Sequence, residues 1–354
     1  MVTRYDRLKG IQRLDPERDF LEIYRLTVTY EFPWDVTRAL ELALYRTYAV
    51  PSIGRLLDET AELTERSQKR YDDTALLLDT VVEHGFDTDE GRTAVRRINQ
   101  MHRSYAISND DMRYVLCTFV VTPKRWLDDF GWRRLCCHEM AAFAAYYRTL
   151  GARMGIKDIP ETYEDFERTL DAYEDKHFGW DEGARRVSDA TLALMGSWYP
   201  APLAPVVRGA SLALLDDSLL KAFRYRRPGP MARGLTRGAL RMRARAVRLL
   251  PPRRKPHYAR QNPEIKGYPD GYEIAGLGTF PTPGSAAARS PATARRRPPT
   301  SDGDCPGRYA VEPGTRRDRP AGTPSSRAEG GRTGRRLPQP CLEASARKRS
   351  SSSV

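Results

Sequence analysis

AVRRINQMHRSYAISNDDMRYVLCTFVV, residues 94–121, decides the fold class. Asp87 or Thr88 can cap a helix that opens with Asp89, Glu90 and Gly91 and runs through the first half of this stretch to about Tyr105. Ser108 or Asn109 caps the next helix, which carries the most apolar run of the chain, MRYVLCTFVV. Val115 to Val121 is the one place where a strand competes, and a buried helix is the better reading.

Working outward, ERDFLEIYRLTV (17–28) and DVTRALELALYRTYAV (35–50) show apolar residues at helical spacing. The second ends at Pro51, which can occupy the first turn of a new helix because its missing N–H would have no partner there. Residues 52–62 and 66–83 read as helices punctuated by Gly85. Downstream, Pro123 restarts the chain into KRWLDDFG. Arg133 to Leu150 forms a long helix closed near Gly151 or Gly155, and further helices are expected over 162–176 and 181–196. Residues 201–223 form a helix or helix pair, followed after a proline-rich break by the Arg-rich helix MARGLTRGALRMRARAVRLL. GYPDGYEIAGLG (267–278) reads as an ordered closing segment. Almost nothing alternates with period two, so the expectation is an all-α domain over 1–278 with eight to ten helices.

From about Ser285 the chain is dominated by Ser, Pro, Gly, Arg and Ala, with too little apolar surface to offset the entropy of ordering, and a disordered basic tail over 285–354 is expected. The net charge of +13 is unevenly placed. The tail holds 15 Lys/Arg against 6 Asp/Glu, and residues 221–260 hold 14 Lys/Arg with no acid, which leaves 13 − 9 − 14 = −10 for the rest. A basic helical extension on an acidic body could meet an acidic membrane surface. The plainer alternative has the stronger physical claim: the helix packs its apolar side on the body and leaves its arginines solvated or paired. No helix-turn-helix, finger or aromatic-plus-basic sheet accompanies the charge, so no specific nucleic acid is expected.

Cysteines at 117, 136, 137, 305 and 341 lack metal-site spacing, the N-terminus lacks an apolar signal core, and no run of eighteen apolar residues occurs. A cytoplasmic protein, attached peripherally to a membrane at most, is expected.

Five histidines narrow the search for chemistry. His84 sits at a helix end, where carbonyls favour an imidazole. His138 adjoins Glu139 but lacks the second histidine of an HExxH site, since Ala142 stands in its place. His177 follows a polar run and is expected to be exposed, and His257 lies in a basic, proline-rich linker. His102, flanked by Ile98, Met101 and Tyr105, stands at the apolar boundary of its helix, where a neutral imidazole can ligate a haem iron or simply be a hydrogen-bonded boundary histidine. A second cluster is KRYDDT (69–74). Arg70 and Thr74 are helical i,i+4 neighbours with Asp73 beside them, a set that could position dioxygen or stabilise developing negative charge. By residue physics alone an ordinary surface ion pair beside a helix-stabilising threonine contact is the preferable reading.

PSIGRLLDET (51–60), KRYDDTALLLDTVVEHG (69–85), AVRRINQMHRSYAISNDDMRYVLCTFVVTPKRWLDDFGWR (94–133), the Glu139 region and LGARMGIKDIPETYEDFERTLDAYE (150–174) resemble the family that unites rubber oxygenase, the latex clearing protein, with the fungal endoplasmic-reticulum oxygenase of mycophenolic acid biosynthesis. The resemblance covers residues 35–200 and extends to about 278. It implies a haem-b-dependent oxygenase, with His102 as the proximal ligand of the haem iron and Arg70 and Thr74 on the other side of the haem. Asp73 stands where rubber oxygenase has a lysine, which makes the fungal branch the closer guide and adds Asp73 to the candidate catalytic set. An apolar unsaturated substrate, isoprenoid or lipid-like, and dioxygen are the implied partners, with oxidative cleavage of a carbon–carbon double bond as the chemistry. The fungal branch's membrane-spanning N-terminal segment has no counterpart read here. The alternative from a different class is a non-catalytic helical protein that binds lipid or a membrane surface through residues 200–260.

Overall fold

A computed structural model describes residues 4–278; the tail expected over 285–354 lies outside the described residues. Those residues are mainly helical, with no strand among them. In chain order the α-helices are α1 (Arg4–Ile11), α2 (Phe20–Arg25), α3 (Pro33–Thr47), α4 (Pro51–Glu59), α5 (Glu62–Glu65), α6 (Ser67–His84) and α7 (Asp89–Arg103). There follow α8 (Asn109–Phe130), α9 (Cys137–Arg153), α10 (Tyr163–His177), α11 (Glu182–Ser197), α12 (Ala204–Leu214), α13 (Asp217–Ala222) and α14 (Pro230–Leu249). A π-helical stretch, Leu26–Glu31, joins α2 to α3.

Fourteen helices exceed the expected eight to ten. The surplus is in short pieces such as α5 and α13, whose one or two turns are too brief to show a 3.6-residue pattern. Thr88 and Ser108 are the caps of α7 and α8, each accepting from the backbone N–H three residues on. Val115 to Val121 is helical, so the competing strand is excluded. Pro123 does not restart the chain as expected. α8 runs through it, giving up one helical hydrogen bond, because burial on all sides holds the helix together. The helix expected from Arg133 begins instead at Cys137, since Arg133 is drawn into the core as a counter-ion.

α8 is the central element, with Cys117, Val120, Val121 and Leu127 fully buried. It packs against α3, α9, α10 and α14, while α6 packs on α7 and α11 on α4 and α12. Between α6 and α7 the turn is tight. Gly85 adopts a left-handed φ of 81°, and a Cβ on Gly91 would lie 1.7 Å from the Gly85 carbonyl oxygen. Glycine at both places lets α7 fold directly back on α6.

One ion cluster ties the first helices to α9. Both Nη atoms of Arg133 donate to the Glu139 carboxylate, at 2.6 and 2.8 Å, and Nη2 also reaches Glu31 at 3.1 Å. Glu139 further accepts from Thr27 Oγ1 and from the Cys136 backbone N–H, and Arg7 donates to Glu31 at 2.8 Å. All four charges are largely removed from water. The prediction is that Arg133→Met, which leaves Glu31 short of a partner and Glu139 without its bidentate one, lowers the unfolding free energy by about 3–5 kcal/mol, measured by chemical denaturation.

Candidate functional site

The structure encloses a cavity of about 390 Å³ walled mostly by apolar side chains of α3, α4, α6, α7, α8 and α9. That volume lies within the range of small-molecule sites, and the lining chemistry is of the same kind, mostly carbon with a few placed polar groups. α8 contributes Met112, Val115, Leu116 and Phe119 to the wall. Tyr114, on the same helix, turns the other way and donates to Glu174 at 3.1 Å.

His102 occupies the last turn of α7 and opens on this cavity. Its Nδ1–H donates to the carbonyl of Ile98, four residues back, at 2.8 Å. That bond fixes the tautomer and leaves the Nε2 lone pair available. Burial pushes the imidazole pKa below its ordinary value, the Ile98 bond works against the shift, and the Arg70 cation adds to it. The ring is therefore neutral near pH 7, as a metal ligand must be.

Arg70 and Thr74, on α6, line the same cavity. Arg70 Nη1 donates to Thr74 Oγ1 at 2.6 Å, and Oγ1 in turn donates to the Arg70 carbonyl at 2.9 Å. Asp73 is not brought to them. It lies fully buried on another side of α6, where it accepts from Lys69 Nζ at 2.7 Å and from the Tyr268 hydroxyl. A helix turns 100° per residue, so adjacent positions cannot share a face.

Three cavity residues escaped the sequence reading. Glu62 is buried, lines the cavity, and pairs one oxygen with Arg66, while Oε2 has no hydrogen-bond partner among the described residues. The residue before it, Ala61, has φ 57°, a left-handed conformation that costs a non-glycine residue about 1–2 kcal/mol. Tyr146 also faces the cavity with its buried hydroxyl unpartnered among those residues. His257, assigned by sequence to a linker, reaches the cavity wall, held by its backbone N–H on Thr29 O (2.9 Å) and its Nε2–H on Asn262 Oδ1 (2.8 Å). Nothing local marks Glu62 or His257. The other histidines do not join the site: His84 sits beside Glu83, and His177 is part-buried, stacked on Tyr173.

Comparison with known proteins identifies the family. Residues 36–249 match the family model described as ER-bound oxygenase mpaB/B'/Rubber oxygenase, catalytic domain. The chain belongs to that family. It is 29% identical to the ER-bound oxygenase mpaB' of Penicillium brevicompactum, over 70% of this chain and 62% of that protein. It is 30% identical to the ER-bound oxygenase mpaB of Penicillium roqueforti, over 63% of this chain and 84% of the relative. The chain thus spans less than two thirds of the first relative's length and more of the second's. Glu62, Arg70, Thr74 and His102 fall inside the matched region of this oxygenase family, and His257 falls outside it. Among the described residues no helix is long and apolar enough to cross a membrane.

The donor set can be tested against the haem that the sequence resemblance implies. Among the described residues no three His, Cys, Asp or Glu side chains gather into an all-protein metal site. One neutral imidazole opening on an apolar chamber is instead the protein donor a haem iron would need, since the porphyrin would supply its four nitrogens. The residues fit the group.

The His102 shift carries a signed consequence. With a folded pKa below the unfolded value, the folded state holds fewer protons, so the contribution is complete above about pH 6.5 and is lost as pH falls below it. The prediction is that protein without added ligand loses stability between about pH 7.5 and about pH 5.5, and that His102→Gln flattens this loss, in denaturation curves taken across that range.

Proposed function

We propose that this chain is a haem-b-dependent oxygenase that uses dioxygen to cleave a carbon–carbon double bond of an apolar, unsaturated substrate of isoprenoid or lipid-like kind. The observation that carries the reading is His102, its Nε2 free and neutral, facing a carbon-lined cavity that it shares with the Arg70–Thr74 pair. Membership of an oxygenase family supports the reaction class.

In this reading His102 Nε2 holds the haem iron, and the Ile98 carbonyl, accepting from Nδ1–H, orients the ring and raises its basicity. Haem, when bound, supplies the redox chemistry that activates dioxygen. The protein's own groups then act around it. Arg70 retains donors beyond the one given to Thr74, and these can stabilise negative charge as it develops on oxygen. Glu62 Oε2 can take and return a proton, and the Tyr146 hydroxyl can donate to a polarised oxygen. Met112, Val115, Leu116 and Phe119 bind an apolar chain by burying it and exclude water from the reaction. Asp73, part of the expected catalytic set, takes no part in the chemistry and instead ties α6 to the closing segment through Lys69 and Tyr268.

Two tests follow from these roles. Protein produced with ample haem, or given haemin, should show a Soret band that His102→Ala abolishes; a colourless wild type that binds no haemin overturns the reading. Arg70→Ala and Thr74→Ala should keep the band while lowering turnover of a cleavable isoprenoid by about a hundredfold, and Glu62→Gln should lower turnover by about a hundredfold or more. Unchanged rates in all three would remove these residues from the chemistry.

A further inference from the structure

α14 packs on the body as its composition suggested, with Ala244 buried and Leu240 and Val247 seated against the core. Its opposite side carries a second apolar stripe. Met231, Leu235, Met242 and Leu249 are 83%, 74%, 60% and 87% exposed. Steps of four and seven residues place these four within about 40° of one another around the helix axis. One amphipathic face closes a core; a second apolar face aimed at solvent has no use in folding, where polar side chains would serve as well.

The charges around the stripe fall into two groups. On the inward flanks, Arg233 and Arg243 are tied to Asp217 and Asp35 at 2.7 and 3.0 Å. Beside the stripe, Arg241, Arg245 and Arg248 are exposed. Arg241 makes only a 3.5 Å contact with the Asp129 carbonyl, and Arg245 one of the same length with Met242 Sδ. The segment 221–260 contains no acidic residue to neutralise them.

We propose that the outer face of α14 docks on an anionic phospholipid surface. The helix lies in the plane of the interface, Met231, Leu235, Met242 and Leu249 enter the acyl boundary, and Arg241, Arg245 and Arg248 meet lipid phosphates. Other occupants match less well. A second copy of the same face would set arginine against arginine. The chain's own segment after Ser285 is itself strongly basic. Nucleic-acid phosphates would meet methionine and leucine before arginine. This docking does not depend on the oxygenase reading, and its test measures binding alone.

Full-length protein is sedimented with phosphatidylcholine vesicles, with and without about a third phosphatidylglycerol. Wild type should bind the anionic vesicles at least about tenfold more tightly, and salt should weaken the binding. Changing Met231, Leu235, Met242 and Leu249 together to Ser retains every charge and should lower the affinity by at least about tenfold. Arg241→Gln, Arg245→Gln and Arg248→Gln together should remove most of the preference for anionic vesicles. All seven positions are exposed, so unchanged circular dichroism and melting confirm that both variants fold. Vesicle binding unaffected by the serine substitutions overturns the proposal. So does a wild-type dimer that those substitutions dissociate, or RNA retention that they abolish while vesicle binding persists.

Discussion

The constraint on which the rest of the molecule depends is the two-sidedness of α6. Arg70, Thr74 and Leu77 face the cavity, Asp72 lies on the opposite side, and Asp79, two turns on from Asp72, reaches both the cavity wall and the chain end. Burial pushes both carboxyls above their ordinary pKa, and backbone donors pull them back. A carboxylate in that position must be met by hydrogen bonds or be destabilising. The segment after α14 meets it: Gly267 N–H reaches Asp72 at 2.6 Å and Ala259 N–H reaches Asp79 at 2.9 Å. Arg260 adds an ion pair to Asp79, and Gln68 holds the Glu264 carbonyl. The chain end is thereby strapped to the helix that forms the site, touching the cavity wall through His257 and Ala259.

That strap has a second anchor on the π-helical stretch. Thr29 cannot give its carbonyl to an amide four residues on, because Pro33 has none, and the His257 N–H takes it. His257 arrives at the cavity wall by this route. A proline that starts α3 thus also creates the acceptor on which a residue more than two hundred positions away is placed.

Several costs in this fold fall at the cavity. Ala61 is left-handed, Glu62 Oε2 and Tyr146 Oη lack partners among the described residues, and His102 is kept from protonating by burial and a neighbouring cation. Away from the cavity, both Nη atoms of Arg133 are paired, while Arg133 Nε, Arg38 Nε and His138 Nδ1 lack partners among the described residues. Two unsatisfied groups facing one apolar chamber are what a binding site leaves behind when a ligand completes it.

Helix type and the place of the longer helices were legible in the sequence because they depend on neighbours three and four residues apart, and caps such as Thr88 and Ser108 act within one turn. Likewise, Arg70 and Thr74 share a face by helix geometry alone, and the blocks around them and His102 carried the family resemblance. The meeting of Arg70 with His102 in one cavity needed α7 to fold back on α6. Tertiary structure also decided what no local pattern expresses: the orphaned oxygen of Glu62, the recruitment of His257, the diversion of Asp73 to the strap and the unbroken passage of α8 through Pro123. Each is settled by what a distant segment offers or withholds. A side chain's chemistry is fixed by its own residue, whereas its desolvation and its partners are fixed only when the chain has folded around it.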